Sequence, residues 1–291
     1  MILITGAAGM NGLAVIREFG RNKARVRALV RSREKAKILA GLPAADVIEG
    51  DMLRPGTLGP ALDGVERVLM ISSANPQMVE TQCSFIDSCK KARVRHIIKF
   101  SGAESGIGFD PKKFRFTRMH EEIEDYLEGS GLAWTHLRPS QFMQVYLREA
   151  PTIVAKGLFL LPLEDAKLSP VDIEDIAKIA FAIVVHGGYE ARAFDITGPE
   201  ALNMSEIAIR IGDAIGKLVH YENVTPEERR LALTAAGLPP FMLDALDEQA
   251  AERRRHPESR IELATHELFG VKPTTFSEFV RHNAALFRAG T

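Results

Sequence analysis

Short apolar runs alternate with amphipathic helical patterns along the first half of the chain. The runs are rich in β-branched residues and predict strands at 2–5, 26–30, 46–49, 68–71, 96–101 and 134–137, with another at 194–197. Between them, apolar positions spaced by three and four residues predict helices at 13–19, 57–62, 79–91 and 119–128. Because parallel strands need long crossover connections, this alternation predicts an α/β fold with a doubly wound parallel sheet.

Helical signals dominate the pattern after Pro139. Capping boxes pair an N-cap side chain with a glutamate three residues later, and they predict three helix starts: Asn203 with Glu206, Thr225 with Glu228 and Thr275 with Glu278. Residues 171–185 predict a further helix that leads into the strand at 194–197. The apolar segment 238–242 either lines a substrate pocket or packs a helix hairpin, and we favour packing.

The composition limits the classes of partner. The 291 residues include 37 Lys and Arg against 38 Asp and Glu, for a formal net charge of -1, so no chain-wide field attracts nucleic acid. The basic run 253–256 lacks interleaved aromatic residues and is expected to be a solvated loop. The longest apolar segment, 176–185, is too short to span a bilayer. We expect a cytoplasmic monomer or homodimer whose partner is a small molecule, with no nucleic acid and no membrane.

The cysteines and histidines do not suggest a metal site. Cys83 and Cys89 are the only cysteines, and their spacing matches neither a zinc site nor a redox pair. No cluster of His, Cys and carboxylate residues has metal-ligand spacing, so no metal is expected. His136 lies in a predicted strand and is expected to be a core or edge histidine.

A glycine-rich turn follows the first predicted strand and opens the first predicted helix. Its spacing is GxxGxxG, and glycine at these positions allows a sharp turn, close approach to a diphosphate and tight helix–strand packing. The helix N-terminus then offers unpaired N–H groups and partial positive charge. The turn therefore predicts a dinucleotide site, with contacts from Thr5, Gly6, Ala7, Gly9, Met10, Asn11 and Gly12.

The end of the second predicted strand distinguishes NADP(H) from NAD(H). An acidic residue there would bind the ribose 2′-hydroxyl of NAD, but this chain has Arg31, with Lys35 nearby. A guanidinium can hold a 2′-phosphate through charge-assisted hydrogen bonds, so NADP(H) is preferred over NAD(H). The alternative is that these residues form only a solvated basic face.

The ends of the third and fourth predicted strands supply further candidate contacts. Asp51, followed by Met52, ends the third strand and either meets the adenine or forms a turn. Ser72 and Ser73 follow the fourth strand and either contact the ribose or cap the next segment. Together with the glycine turn, these positions predict an NAD(P)-binding Rossmann domain over residues 1–139 and 171–198. The remainder, 140–170 and 199–291, is expected to form a smaller, mostly helical substrate-binding lobe over the carboxyl ends of the strands.

These residues resemble the NmrA-like family, whose members are atypical short-chain dehydrogenases/reductases. The resemblance covers nearly the whole chain and lies in the segments 5–12, 28–31, 49–51, 100–102, 120–124, 130–132, 137–139, 171–176 and 197–200. Within the family the chain is most similar to bacterial NADPH-dependent quinone reductases and triphenylmethane reductases, and it is similar also to NADPH-sensing regulators. The resemblance implies an NADP(H)-binding α/β domain with a small substrate-covering lobe.

The Tyr–Lys dyad of orthodox members of that superfamily is missing. None of the four tyrosines has a lysine four residues later, and alignment puts Phe116 at the tyrosine position and His120 at the lysine position. Phenylalanine has no proton to exchange, which argues against alcohol oxidation and simple ketone reduction. The resemblance implies that His120 faces the nicotinamide end of the cofactor, where it could bind the ribose or relay a proton. The alternative is that His120 lies on an exposed helix face.

The remaining candidates follow the fifth and sixth strands. Ser101 and Pro139 are expected to contact the cofactor, although Pro139 could simply pack a chain reversal. By resemblance Phe142 would lie against nicotinamide and substrate, and Gln141 and Tyr146 are polar candidates to orient a substrate. The sequence thus predicts an NADPH-dependent reductase that passes hydride to an electrophilic acceptor: a quinone, cationic dye, iminium ion or enone. The alternative is a non-catalytic NADP(H)-binding regulator that senses redox state.

Overall fold

The structure is a computed structural model, and it describes residues 1–42, 44–102 and 108–289. Its strands are β1 (Ile2–Ile4), β2 (Val26–Val30), β3 (Ala45–Glu49), β4 (Arg67–Met70), β5 (His96–Phe100), β6 (Ala133–Pro139), β7 (Leu158–Leu161), β8 (Arg192–Ile196) and β9 (His220–Asn223). In the first part of the chain the helices are α1 (Met10–Arg21), α2 (Arg33–Ala36), α3 (Gly59–Leu62), α4 (Met78–Lys91), α5 (Arg115–Gly129), α6 (Ala150–Lys156) and α7 (Ile173–His186). The later helices are α8 (Met204–Ile215), α9 (Pro226–Ala235), α10 (Pro240–Arg255), α11 (Ala264–Phe269), α12 (Phe276–His282) and α13 (Ala284–Ala289).

Seven strands form one sheet in the order β3-β2-β1-β4-β5-β6-β8. The pairs from β3 across to β6 are parallel, and Ile4 lies opposite both Ala28 of β2 and Leu69 of β4. The strand order reverses between β1 and β4, which is where doubly wound sheets bind ligands at the carboxyl ends of their strands. This confirms the predicted α/β fold.

The burial of each strand follows its place in the sheet. β5 is central and every residue of it is buried, whereas β3 lies at the edge and none of its residues is fully buried. Central parallel strands covered by helices on both faces are apolar along their whole length. Lys99 is therefore an unusual residue for its position, because it is fully buried in an interior strand of this sheet.

The chain divides into two compact units. The first comprises residues 1–102, 118–138 and 176–194; the second, in its described part, comprises 108–117, 139–175 and 195–289. The core of the second unit includes Phe159, Ile207, Phe276 and Phe279, and its two-stranded sheet pairs β7 with β9 in parallel. The domain boundaries expected from the sequence stay predictions.

The predicted helix starts of the second half are confirmed. All three capping boxes form, with the side chains of Asn203, Thr225 and Thr275 each accepting from the backbone N–H of the glutamate three residues later. The predicted helix at 171–185 is α7, Ile173–His186. In the described residues, no helix is both long enough and apolar enough to cross a membrane.

The expectation of a solvated loop at 253–256 is wrong. α10 continues through Arg255, and Arg253 is only 2% exposed, with its guanidinium 5.1 Å from the centre of the Phe109 ring. An aromatic face attracts a guanidinium even in a buried position, so the basic run does not need to be solvated. Arg254 donates to the carbonyl of Pro162 and Arg255 pairs with Glu252, which leaves no continuous basic surface in the run.

Candidate functional site

The glycine turn between β1 and α1 is closed so tightly that side chains are excluded. Gly6 has a φ of +58°, and a Cβ added there would lie 2.8 Å from the carbonyl oxygen of Ile71. A Cβ added to Gly12 would lie 2.4 Å from the carbonyl oxygen of Gly6 and 2.7 Å from the Cα of Ala7. The turn is closed by a hydrogen bond from the N–H of Gly9 to the carbonyl oxygen of Gly6, 2.9 Å. Gly6 and Gly12 therefore have a backbone reason to be glycine.

The N-terminus of α1 is open to an anion. Gly9 is the N-cap residue and provides no side-chain cap, and the first helical hydrogen bond runs from the N–H of Leu13 to the carbonyl of Gly9. The N–H groups of Met10, Asn11 and Gly12 therefore lie in the first turn without an intrahelical acceptor. Oδ1 of Asn11 is buried and has no hydrogen-bond partner among the described residues. The open N–H groups fit the diphosphate of a dinucleotide, whereas Oδ1 of Asn11 is an acceptor and would need a hydroxyl or N–H donor.

Thr5 ties the glycine turn to the neighbouring strand end. Its buried hydroxyl donates to the carbonyl oxygen of Ile71 at 2.6 Å and accepts from the N–H of Ile71 at 2.8 Å. The side chain of Thr5 thus uses both hydrogen-bonding functions within the protein. It positions the turn, and the cofactor contact expected of Thr5 stays a prediction.

The end of β2 presents the predicted basic group to solvent. Arg31 and Lys35 are exposed, and between them Ser32 is the N-cap of α2, with its side chain accepting from the N–H of Lys35. Free guanidinium and ammonium groups beside a strand end fit recognition of a phosphate. No carboxylate occupies the last position of β2.

Asp51 forms a turn in this structure. Its Oδ1 accepts from the N–H of Leu53 at 3.0 Å, and its own N–H donates to Oγ1 of Thr57 at 2.9 Å. Met52 is 8% exposed. Of the two interpretations of Asp51 that the sequence left open, the turn is therefore present, and adenine contact stays a prediction.

The two serines after β4 each accept a hydrogen bond from a neighbouring side chain. Ser72 accepts a hydrogen bond from Nε2 of Gln82 at 2.8 Å, and the carbonyl of Ser73 accepts from Nδ2 of Asn75 at 3.2 Å. The Ser73 side chain is exposed. Both lie at the strand end that Gly6 approaches, so a cofactor ribose contact remains compatible with their positions.

The carboxyl end of β5 holds a connected polar cluster. Nζ of Lys99 lies 2.9 Å from Oγ of Ser101 and 2.8 Å from Nδ1 of His120, which comes from α5. Ser101 in turn donates to Oε1 of Glu124, and Glu124 forms an ion pair with Arg138 of β6. The structure thus brings the predicted residues Ser101 and His120 together through a lysine that the sequence analysis did not select.

The pKa values of the groups in this cluster differ from their ordinary values. Burial lowers the pKa of Lys99 from 10.5 to about 7, although Glu124 partly opposes that shift. Burial and the Lys99 charge hold the pKa of His120 well below its ordinary value. Burial alone would raise the pKa of Glu124, but hydrogen bonds from Arg138 and Ser101 outweigh it and leave the carboxylate ionised. At neutral pH the cluster therefore contains a neutral imidazole next to a lysine close to half-protonation.

Gly102 fits closely under the His120 ring. A Cβ at Gly102 would lie 2.8 Å from Nε2 and 2.9 Å from Cδ2 of His120. His120 is half-buried, so one side of the ring is covered by this backbone and part of it remains accessible. Of the two interpretations of His120, an exposed helix face does not describe its position.

The predicted residues of the second unit differ in burial. Pro139 is buried at the end of β6, whereas Gln141 and Phe142 are half-buried and their backbones pair with Val171. Tyr146 is 1% exposed, with its ring 5.3 Å from that of Phe276, and burial raises the pKa of its phenol. Tyr146 is therefore a core residue, and the substrate contacts stay predictions.

Phe116, at the position aligned with the tyrosine of the dyad, lies in an aromatic group. Its ring centre is 5.5 Å from that of Phe114 and 5.8 Å from that of Phe241. The second of these contacts comes from the apolar segment 238–242 at the start of α10, whose role in packing or in a pocket stays a prediction. Within residues 1–42, 44–102 and 108–289, no group of three or more His, Cys, Asp or Glu side chains could hold a metal ion.

Lys99 is the residue that sequence reasoning missed. The available signal was a lone lysine inside the run 96–100, which is predicted as a strand and is fully buried in the structure. Lysine is almost never fully buried unless it is paired, so its presence there pointed to partners from other elements. One of those partners, His120, lies 21 residues further along the chain, so no local sequence pattern identifies it.

Comparison with known proteins gives matches over the full length. A profile described as the NmrA-like family matches residues 1–280. The chain is 33% identical over 290 residues to an NAD(P)H azoreductase from Xenophilus azovorans, covering 99% of this chain and 100% of that protein. It is 30% identical over 288 residues to quinone oxidoreductase 2 of Escherichia coli (strain K12), covering 97% of this chain and 98% of that protein. The crystal structure of an E. coli NADPH-dependent quinone oxidoreductase complexed with NADPH matches with a TM-score of 0.86 at 28% identity, covering 98% of this chain and 100% of that one.

Proposed function

The chain belongs to the NmrA-like family, and we propose that it is an NADPH-dependent reductase that delivers hydride to a flat, electron-poor acceptor such as a quinone. Two of its full-length relatives are named an NAD(P)H azoreductase and a quinone oxidoreductase, and the chain is an oxidoreductase that uses NAD(P)H. The acceptor class and the preference for NADPH are the parts of this proposal that need experiment.

The main observation behind the proposal is the glycine turn. Added Cβ atoms at Gly6 and Gly12 would meet backbone at 2.8 Å and 2.4 Å, and the uncapped start of α1 follows directly. Such a turn at the switch point of a doubly wound sheet supports binding of the cofactor diphosphate. When bound, the reduced nicotinamide supplies the hydride, and the protein supplies orientation and a dry environment.

Arg31 supports a preference for NADPH over NADH. Its guanidinium is exposed at the end of β2, where a cofactor 2′-phosphate would need a positive partner. We expect Arg31→Ala to weaken NADPH binding by about 1.5–3 kcal/mol, roughly 10- to 100-fold in Kd, and to leave NADH binding unchanged.

A matched control is available on the same strand. Arg25 is exposed just before β2, at the opposite end of the strand, so Arg25→Ala removes the same charge away from the proposed site. Calorimetry should show NADPH affinity unchanged in that variant. Equal losses for NADPH and NADH in Arg31→Ala, or equal losses in both variants, would refute the role of Arg31.

The acceptor must not need the missing tyrosine. The sequence predicts Phe116 at the position of the proton-donating tyrosine, so an already electrophilic acceptor is favoured over a simple ketone. Quinones meet that requirement, and both an azo compound and a cationic dye belong in the same chemical class of flat, electron-poor acceptors. The relatives named azoreductase and quinone oxidoreductase support this choice.

The test is NADPH oxidation, followed by absorbance, against quinones, azo dyes, cationic dyes, enones and simple ketones. We expect saturable turnover with quinones and none with simple ketones. If NADPH binds tightly and no acceptor is reduced, the proposed activity is wrong, and the alternative of an NADP(H)-binding regulator is favoured.

A further inference from the structure

Lys99 is buried where no charged group is needed for folding. It is fully enclosed in β5, and two of its hydrogen bonds, to Oγ of Ser101 and Nδ1 of His120, are 2.9 Å and 2.8 Å long. Taking an ammonium group out of water costs several kcal/mol, and an apolar residue at this position would avoid that cost. A role in chemistry would explain why the lysine is there.

The contact with Lys99 determines which ring nitrogen of His120 holds the proton. While Lys99 is protonated its ammonium group has only donors, so Nδ1 of His120 accepts and the neutral ring holds its proton on Nε2. Nε2 is the nitrogen above Gly102, at the carboxyl end of β5. The contact thus leaves the N–H donor of His120 beside Gly102, at the carboxyl end of β5.

We infer that Lys99 is a positioning residue that fixes His120 as an Nε2–H donor and replaces the proton that His120 gives to the reduced acceptor. This inference rests on the proposed function and identifies the proton source for it. A quinone that gains a hydride becomes a hydroquinone monoanion, and one further proton completes the hydroquinone. The Nε2–H bond of His120 breaks to give that proton, while Nδ1 takes a proton from Nζ of Lys99. Solvent then protonates Nε2, and Nδ1 returns its proton to Nζ, which restores the starting pair.

The surroundings of Lys99 suit this exchange. The groups that face it are Ser101 of its own strand, His120 and Glu124 of α5, His136 and Arg138 of β6, and Cys83 of α4. Its pKa of about 7 matches proton donation at neutral pH. Glu124 is already paired with Arg138 and bonded to Ser101, so the cluster keeps a fixed anion nearby when the lysine loses its proton.

The first test uses the cofactor-free protein and does not depend on turnover. A long-range ¹⁵N–¹H spectrum of histidine-labelled protein identifies the protonated ring nitrogen, and His120→Gln assigns the signal among the eight histidines. We expect Nε2–H in the native protein. In Lys99→Met we expect a mixture of tautomers and a higher pKa for His120, because the neighbouring positive charge is gone.

The second test separates proton supply from cofactor binding. A quinone needs hydride and a proton, whereas a cationic triarylmethane dye becomes neutral on accepting hydride alone. We expect Lys99→Met to lower kcat for the quinone at least about 10-fold, with dye reduction and NADPH affinity within about twofold of the native enzyme. Lys91→Met, at an exposed lysine of α4, is the control and should change nothing.

The outcomes distinguish the two proposals. If Lys99→Met keeps the native tautomer and pKa of His120, or lowers quinone and dye reduction equally, the inference is wrong. If the native enzyme reduces no acceptor while the tautomer responds as expected, the proposed function fails and the positioning of His120 by Lys99 stands. Should Lys99→Met not fold, Gly102→Ala provides a second variant, because its Cβ displaces the His120 ring from the other side. That variant is expected to show the same selective loss of quinone reduction, and unchanged selectivity would overturn the inference.

Discussion

Substitution of Gly12 by alanine tests whether the closed turn holds a diphosphate. The added Cβ would lie 2.4 Å from the carbonyl oxygen of Gly6 and 2.7 Å from Cα of Ala7. Both neighbours are backbone atoms, so no side-chain rotation relieves the contact, and the start of α1 must move by about 1 Å to reach van der Waals distance. Overpacking of this kind costs about 1–3 kcal/mol in unfolding free energy.

The same helix contains the matched control. Gly20 lies near the exposed end of α1, and a Cβ there would meet only the Cβ of Ala44 at 3.7 Å. Alanine is favoured over glycine inside helices by about 0.5–1 kcal/mol, so Gly20→Ala should raise the free energy of unfolding by about that amount. Gly12→Ala receives the same gain and loses more through the contact, so it should unfold more easily than the native protein.

The effect on the cofactor should exceed the effect on stability. Displacing the first turn of α1 by about 1 Å breaks at least one hydrogen bond to the diphosphate, and hydrogen bonds to charged groups contribute about 1.5–3 kcal/mol each. We therefore expect Gly12→Ala to raise the Kd for NADPH by roughly 10- to 100-fold, while Gly20→Ala leaves it unchanged. Urea denaturation and calorimetry measure the two quantities. If Gly12→Ala binds NADPH like the native protein and gains stability like Gly20→Ala, the proposed geometry of the turn is wrong.

Two other predictions concern the framework of each unit. Thr5→Val removes a buried hydroxyl that both donates to and accepts from Ile71, so the free energy of unfolding measured in urea should fall by about 1–3 kcal/mol. The control Thr81→Val, at a more exposed site on α4, should lower it by less. Equal losses in the two variants would contradict a stabilising role for the Thr5–Ile71 hydrogen bonds. Hydrogen bonds from Thr275 and Lys272 hold the pKa of Glu278 at about 2, below the roughly 4.3 of an unfolded glutamate. Its stabilisation is therefore complete above about pH 5 and is lost as the pH falls through 2, so Glu278→Gln should destabilise the protein at pH 6 and show a difference from native that narrows towards pH 2 in urea unfolding.

Signals that act over a few residues could be predicted from the sequence. The capping box of Asn203 and Glu206 needs only a four-residue segment, and it forms as expected. The strand prediction at 26–30 matches β2 because five alternating and apolar residues are enough to define a buried strand between two turns. Elsewhere the strand ends differ by one or two residues, since hydrogen bonding to the neighbouring strand decides where pairing stops.

Features that depend on distant partners could not be predicted. β7 and β9 pair across about 60 residues, and β9 has the polar sequence HYEN with no alternating pattern to mark it. Arg253 reads as part of a basic surface run, but the Phe109 ring and the core of its unit bury it. In each case the deciding contact is made by an element whose position the local sequence does not encode.

The candidate site likewise contains one part that the sequence could predict and one part that it could not. The glycine turn was predictable because the chemistry of binding a diphosphate by backbone N–H groups imposes a spacing on consecutive residues. Proton supply imposes no spacing, because it requires only that a donor, a relay and a fixed anion meet at one strand end. In this chain we assign those roles to Lys99 on β5 and to His120 and Glu124 on α5. His120 and Glu124 are four residues apart, so they lie on the same face of α5. The inferred proton supply of this chain therefore depends on a contact between β5 and α5, the 2.8 Å approach of Nζ of Lys99 to Nδ1 of His120, which no local spacing encodes.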